Sequence, residues 1–352
     1  MDRTAEECPP ASAGGRPDTT IALCAIAKDE AAYLPEWILY HRWWGFDRIH
    51  VMLNGITDNS VAIMEKLAAG MDGVSFETVD RLKTSTSDYI DELLVPSFFR
   101  KRNPLQARAY AHAYARAKDL GWDYVLFADI DEFFFDRSGR TIGDVIGSLS
   151  YPDLLYLRWF NCAGDREAFS GLARRRLWGR YMRTKKFLVR TGLESMKFLS
   201  PHEVSIPAGS RQAGPTWPTL ILHRYYRSRI EYLALLSRGD TILNETTSLK
   251  LNRSGWWRRG LLPVAMKSSL IDRLRQFIKH GIQRCGLEAD LEVARSHVLD
   301  RAAKTNQEFE RVRRLNTSIY RLVGGTGVTL VPPMRQRLYD GLRRMLGRLG
   351  IW

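Results

Sequence analysis

At 352 residues, 45% hydrophobic and 26% charged, the chain can bury a sizeable core and has the length of one large domain with an appendage, or of two domains. No window approaches ~20 consecutive apolar residues, which argues against a membrane-spanning helix. Its four cysteines, Cys8, Cys24, Cys162 and Cys285, lie far apart without a C-x-x-C, so neither a zinc site nor a disulfide framework is indicated. A soluble enzyme in a reducing cytoplasm is the expected class.

In chain order, residues 1–20 carry Cys8-Pro9-Pro10, Gly14-Gly15 and Pro17 without an apolar core, and read as a disordered tail rather than a signal peptide. The apolar run from Ile21 to Ala27 predicts a buried strand ending in Lys28-Asp29-Glu30. A helical pattern then runs through Tyr33, Leu34, Trp37, Ile38 and His41. The stretch from Asp47 to Leu53 predicts a second strand, followed by the turn-rich loop from Asn54 to Ser60 and a helix from Val61 to Leu67. A third strand, Val74 to Val79, ends at Asp80. Tyr124 to Ala128 is another buried run, and Asp129-Ile130-Asp131-Glu132-Phe133 follows it directly. Strands alternating with helices argue an α/β fold with a parallel, doubly wound sheet and its polar loops along one edge, where such sheets bind ligands. On an extended strand residues i and i+2 point the same way, so Asp129 and Asp131 can converge on one hard divalent cation. A helix cap followed by a solvated turn would give the same short motif.

Taken as an ordered series, Lys28-Asp29-Glu30, then Tyr33-Leu34-x-Glu36-Trp37-Ile38-x-Tyr40-His41, then Gly45-Phe46-Asp47, Asp58-x-Ser60 and Asp129-Ile130-Asp131-Glu132-Phe133 resemble glycosyltransferases of the GT-A fold. More narrowly, they resemble the family 2-like and family 92 (DUF23-type) group. The resemblance continues in Gln106, Trp159-Phe160-Asn161-x-x-Gly164, Lys186 to Arg190, His202 and Leu222-His223-Arg224-Tyr225-Tyr226-x-Ser228, and covers roughly residues 21 to 240. Two positions depart from the family pattern: Asp29 stands where Asn is usual, and Asn161 where Gly is frequent. The resemblance implies a GT-A domain over residues 21–250, a mostly parallel Rossmann-like sheet with flanking helices; charge and periodicity add a basic helical C-terminal region over 251–352.

Transfer of a sugar from a nucleotide diphosphate requires the departing diphosphate to be neutralised. Mn²⁺ or Mg²⁺ held by Asp129 and Asp131 would do this, with Asp131 the first choice as direct ligand. His223, after the apolar run Thr219 to Leu222, stands where a later histidine completes the metal shell in many GT-A enzymes; a core histidine bonded to backbone is the alternative. Lys186 and Arg190 are placed to assist the diphosphate, unless they only form an exposed basic strand face. Lys28, Asp29, Glu30, Asn54, Asp58 and Asp80 form the expected nucleotide rim, by topology rather than by a base-reading code. Asp58 and Ser60 equally suit a helix cap, the reading favoured for Ser60. The resemblance also implies an inverting mechanism with a carboxylate base, for which Asp165, Glu167 and Glu203 are candidates, while Glu132 orients its neighbours. Trp159, Phe160, Trp178 and Trp217 could stack on sugar rings or simply fill the core, and Trp256-Trp257 suits an interface or burial beneath a helix.

The net charge of +14 is concentrated at one end: from Arg253 to Trp352 there are 20 Lys+Arg against 8 Asp+Glu, compared with 33 and 31 in the rest. There Leu291, Ala294, Val298, Ala302, Phe309, Val312, Ile319 and Leu322 recur at helical spacing, which predicts a long amphipathic helix. From Met334 to Trp352, arginines interleave with Leu338, Leu342, Met345, Leu346 and Leu349. That pattern suits peripheral attachment to an anionic inner membrane face, or packing on the domain itself. No nucleic-acid module accompanies the charge, so no specific nucleic-acid partner is expected. The expected partners are a nucleotide-diphosphate sugar and a glycan or lipid-linked acceptor, as in polysaccharide biosynthesis. Two other readings stand beside this one. A Mg²⁺-dependent phosphotransferase would need its nucleophilic Asp on the first strand before Thr or Val, where Asp29-Glu30-Ala31 stands. A non-catalytic basic adaptor would leave the ordered polar loops unexplained.

Overall fold

The computed structural model describes residues 19–79, 92–94, 104–214, 218–238 and 262–315. Asp80, Trp217, Trp256-Trp257, the expected domain boundary at 250, the tail before residue 19 and the stretch from Met334 to Trp352 lie outside the described residues.

Strand β1 (Ile21–Ala27) is buried along its whole length because both faces of the sheet are covered. Its alternate residues enter two different cores. Leu23, Ala25 and Ala27 meet helix α1 (Leu34–Trp43) and helix α2 (Ser60–Gly70), whereas Ala22, Cys24 and Ile26 meet helix α3 (Pro104–Asp119). β1 pairs in parallel with β2 (Arg48–Leu53) and with β4 (Tyr124–Phe127), and β2 pairs in parallel with β3 (Val74–Thr78). The chain leaves β4 through the Asp129–Asp131 turn, closed by the Glu132 N–H donating to the Asp129 carbonyl at 2.9 Å, and enters β5 (Glu132–Asp136). A Thr141–Asp144 capping box opens α4 (Ile142–Ser148). Beyond it β6 (Leu154–Cys162) and β7 (Arg176–Arg190) form a long antiparallel pair, and β11 (Thr219–His223) lies between β6 and β5. The large sheet therefore runs β3-β2-β1-β4-β7-β6-β11-β5. The short strands β8 (Lys197–Ser200) and β9 (Glu203–Ser205) form a separate hairpin, β10 (Gln212–Ala213) pairs with β6, and β12 (Leu262–Ala265) pairs with β7.

The α/β class is as expected, but the uninterrupted parallel, doubly wound run extends only from β3 to β4; beyond it β6 pairs in parallel with β11 and β10, and the remaining pairs are antiparallel. β7 runs antiparallel to both β4 and β6. The physical reason is the connection: residues 163–175 join β6 to β7 without a helix, and a direct return of this kind produces an antiparallel neighbour, whereas a parallel one needs a crossover.

The C-terminal helices join the main core. A Ser228–Glu231 capping box starts α5 (Arg229–Ser237), and the predicted long helix is present as α7 (Glu288–Leu315). Leu291, Ala294, Val298 and Ala302 lie buried in the same cluster as β1 and α1. Helix α6 (Ser268–Arg284) packs on α1 so closely that a Cβ on Gly281 would lie 2.3 Å from Leu39 Cδ2, so a larger residue there would require the Leu39 side chain to shift.

Candidate active site

The Asp129–Asp131 turn projects from the carboxyl end of β4, and two elements fix it. The Trp37 indole N–H on α1 donates to the carbonyls of Asp129 (3.1 Å) and Glu132 (2.8 Å), so the tryptophan of the E-W-x-x-Y-H series is a brace for the acidic turn. His41, one turn later, accepts the Phe134 N–H at Nε2 (3.1 Å), while its Nδ1 lies 2.8 Å from the Trp37 carbonyl. Those two bonds define a neutral tautomer, and burial lowers the His41 pKa from its ordinary 6.5 to about 3 despite the bond to Trp37.

Beneath the turn lies a buried charge cluster. Lys186, on β7, has no exposed surface and reaches Glu132 Oε2 at 3.1 Å and Asp129 Oδ2 at 3.4 Å; Glu132 Oε2 also accepts the Asp129 N–H at 2.9 Å. Burial works against the Lys186 ammonium, but Asp129 and Glu132 outweigh it and hold the amine protonated, well above its ordinary range. For Glu132 the same two forces oppose each other, burial against the carboxylate and the ammonium for it. The Asp129 side chain remains 38% exposed above this pair.

Asp131 faces a different partner. His223, the last residue of β11, places Nε2 3.5 Å from Asp131 Oδ1, and its Nδ1 lies 3.1 Å from Asn161 Oδ1 at the end of β6. The Asn161 amide oxygen can only accept, so its bond to Nδ1 leaves Nε2 as the nitrogen turned toward the Asp131 carboxylate. Trp159 packs its ring against His223 with centroids 4.2 Å apart and meets His202 edge-on at 5.0 Å. Burial lowers the His202 pKa to about 4, and the Lys186 charge adds to the effect.

This donor set fits a divalent cation. A carboxylate oxygen and an imidazole nitrogen are aligned, an asparagine fixes the imidazole from behind, and a second carboxylate lies two residues away on the same turn. Among the described residues no three His, Cys, Asp or Glu side chains converge closely enough to hold a metal by themselves. The remaining positions would fall to substrate oxygens and water.

The other sequence-predicted residues are distributed unevenly. Asp29 is buried at positive φ (49°), and its carboxylate accepts the Thr57 N–H (2.6 Å), the Thr57 hydroxyl (3.0 Å) and the Asp58 N–H (3.3 Å), with Arg301 of α7 at 3.4 Å. Glu30 is enclosed by Arg227 (3.0 Å) and Arg238. Asp58 takes the Ala31 N–H at 3.0 Å and the Ser60 N–H at 2.9 Å, and burial raises its pKa. Asn59 is the N-cap of α2 and makes no side-chain cap bond; Asp58 before it accepts the N–H of Ser60, the first helical residue, and the Ser60 hydroxyl, favoured as the cap, donates to Asp58 at 2.5 Å instead. Lys28 and Asn54 are buried on the same rim. Arg190 is not brought to the site. It pairs in register with Tyr124 at the opposite end of β4 and bonds Asp153 at 3.4 Å, because β7 runs antiparallel and carries residue 190 away from the Asp129 turn.

The three base candidates differ as sharply. Asp165 is held by Arg174 (2.7 Å) and Arg224 (2.9 Å). Glu203 lies exposed on the β8–β9 hairpin, 3.7 Å from Lys185. Glu167 is exposed and lines a cleft of about 720 Å³ that also takes in Cys162, Arg176 and Trp178. The arginines that enclose Glu30 and Asp29 escaped sequence reading, because nothing in their spacing distinguishes Arg227, Arg238 or Arg301 from exposed basic residues.

Comparison with known proteins agrees with the motif series. Residues 18–165 match the family model for glycosyltransferase family 92. A glycosyltransferase family 92 protein of Arabidopsis thaliana is 26% identical over 123 residues, 35% of this chain and 18% of the relative. One of Ricinus communis is 23% identical over 130 residues, 37% of this chain and 20% of the relative. The chain thus spans about a fifth of the length of the curated relatives it matches. Among solved structures, the galactosyltransferase LgtC in complex with donor and acceptor sugar analogues is 18% identical, over 48% of this chain and 57% of that one, with a TM-score of 0.21. In sequence, residues 18–165, and with them the Asp129–Asp131 pair, resemble glycosyltransferase family 92, as the motifs indicated.

Proposed function

We propose that this protein is a metal-dependent glycosyltransferase that moves a sugar from a nucleotide-diphosphate donor to the hydroxyl of a glycan or lipid-linked acceptor, with inversion. The observation that carries the reading is the facing pair Asp131 Oδ1, on the turn that ends β4, and His223 Nε2, at the end of β11, 3.5 Å apart. Asp131 and His223, with Asp129, would hold Mn²⁺ or Mg²⁺, and the bound cation would supply charge neutralisation for the departing diphosphate. Lys186 holds Asp129 in place from below, and Asn161 keeps the imidazole nitrogen of His223 turned to the site. Asp29, Glu30 and Asp58 have their carboxylates engaged by protein groups, so the donor nucleotide would meet this rim through backbone groups and through the shape the braces maintain. Inversion requires a carboxylate to take the acceptor hydroxyl's proton as that oxygen attacks in line. Of the three candidates Glu167 suits this best, because it lines an open cleft and, among the described residues, no arginine or lysine is paired with it.

We place the enzyme on the cytoplasmic side of a membrane, with its basic C-terminal stretch against anionic lipid. The test of the proposed activity is a screen of nucleotide sugars for Mn²⁺-dependent hydrolysis by the full chain, which needs no acceptor. Release of nucleoside diphosphate from one donor, abolished by chelation, is the expected result; no release from any donor would contradict the proposal.

A further inference from the structure

Strand β7 carries an alternation that leads away from the candidate centre. Arg176, Trp178 and Arg180 point to one face of the strand, while Leu177 and Gly179 are buried on the other. Arg180 stands opposite Asn161 in the β6–β7 register, so this is the face on which the Asn161 amide meets His223. Gly179 permits the close approach of the two strands, since a Cβ there would lie 2.2 Å from the Asn161 carbonyl oxygen. The cleft of about 720 Å³ begins at Cys162, the residue after Asn161, and Arg176 and Trp178 form one of its walls.

The charge inside the cleft is unbalanced. Asp165 is spent on Arg174 and Arg224, and Glu167 is the other acid. Arg166 and Arg176 are both exposed, and among the described residues no carboxylate pairs with either. In the same cleft Trp178 leaves 48% of its surface open to solvent, although the residues flanking it on β7 are buried. An indole face matches the C–H face of a sugar ring, and guanidinium groups beside it match a planar, bidentate anion rather than a hydroxyl.

We infer that this cleft is the acceptor subsite and that it takes an anionic saccharide, one bearing a carboxylate or a phosphate on the sugar. The inference rests on the transferase reading and narrows its acceptor. Trp178 stacks on the ring, Arg166 and Arg176 hold the anion, and Glu167 faces the same space.

The test is calorimetric binding of three probes to the full chain: an oligogalacturonate, a phosphorylated mannan oligosaccharide, and uncharged maltohexaose. At least one charged probe is expected to bind at least tenfold more tightly than maltohexaose, and the two charged arms tell carboxylate from phosphate. Arg176→Ala should weaken that binding about tenfold, in keeping with loss of one charge-assisted contact, and the Arg166→Ala, Arg176→Ala pair should remove the preference for charge. Trp178→Ala should weaken binding with the charge preference kept. The unfolding midpoint should not move in the arginine variants, because both side chains are exposed. Equal binding of neutral and charged probes, no binding of either charged probe, or unaltered binding in the arginine pair would overturn the inference. Donor hydrolysis by the wild-type chain without acceptor separates the two claims. Its absence counts against the transferase reading, and its presence without charge preference counts against the anionic acceptor alone.

Discussion

The two halves of the sheet edge use their polar residues in opposite ways. At the carboxyl ends of β1 and β2, Asp29, Glu30 and Asp58 are enclosed by N–H groups and arginines, and Arg301 reaches in from the C-terminal helix α7. At the carboxyl ends of β4, β6 and β11, the side chains retain capacity for a ligand. Asp129 is 38% exposed, Asp131 and His223 face each other at 3.5 Å, and Glu167, Arg176 and Trp178 open onto a cleft. Carboxylates in a polar loop are therefore of two kinds. Asp29, Glu30 and Asp58, and Asp165 after β6, hold loops in shape, whereas Asp129, Asp131 and Glu167 are the carboxylates we propose for chemistry.

The sharpest way to break that distinction is at the base. Glu167→Gln should lower turnover by roughly 10²–10⁴ while sparing donor binding, since proton removal matters only as the new bond forms. Asp165→Asn should act mainly through stability, because it loosens Arg224 and Arg174, and Glu203→Gln should leave turnover near normal. Single-turnover rates and unfolding midpoints of the three variants, measured side by side, decide the matter; normal turnover in Glu167→Gln would remove it from the mechanism.

A brace should show the opposite profile. Glu30→Ala leaves Arg227 and Arg238 buried without their common carboxylate, so urea unfolding should show a loss of about 3–5 kcal/mol. A loss of activity at unchanged stability would instead make Glu30 a ligand-contacting residue and blur the comparison.

The smallest expected effect concerns the tryptophan–histidine support beneath the acidic turn. The folded His41 pKa is depressed to about 3, so the unfolded chain takes up the proton first. Stability should fall as pH drops below about 6.5 and continue to fall until about pH 3. Denaturant midpoints at about pH 7 and about pH 4.5 should differ more in the wild type than in His41→Gln. An equal difference would assign the acid sensitivity to other groups.

How much of this was legible in the sequence depended on which force set each position. Periodicity and apolar runs located β1, β2, β4 and the long C-terminal helix, because burial on both faces leaves a continuous hydrophobic stretch. The acidic turn was legible from its context, an ordered series of polar loops after apolar strands, since D-x-D alone equally suits a helix cap and a solvated turn. The direction of β7 was not, since antiparallel return is decided by the loop between strands and not by the strand's own composition. That missed reversal is what carried Arg190 to the wrong end of the sheet. Nor could the sequence tell which partner each carboxylate would meet: Asp29 and Asp131 look alike until Thr57 and Arg301 on the one side, and His223 on the other, are brought into place by long-range packing.

The central claim, that Asp131 and His223 form the cation site, is tested most directly by Mn²⁺ titration of the full chain, followed by electron paramagnetic resonance in the presence of nucleoside diphosphate. Wild type should bind one ion, Asp131→Ala should lose that binding with its unfolding midpoint unchanged, and His223→Ala should weaken it. Undiminished Mn²⁺ binding in Asp131→Ala, or a collapse of stability in His223→Ala at normal metal affinity, would contradict the account.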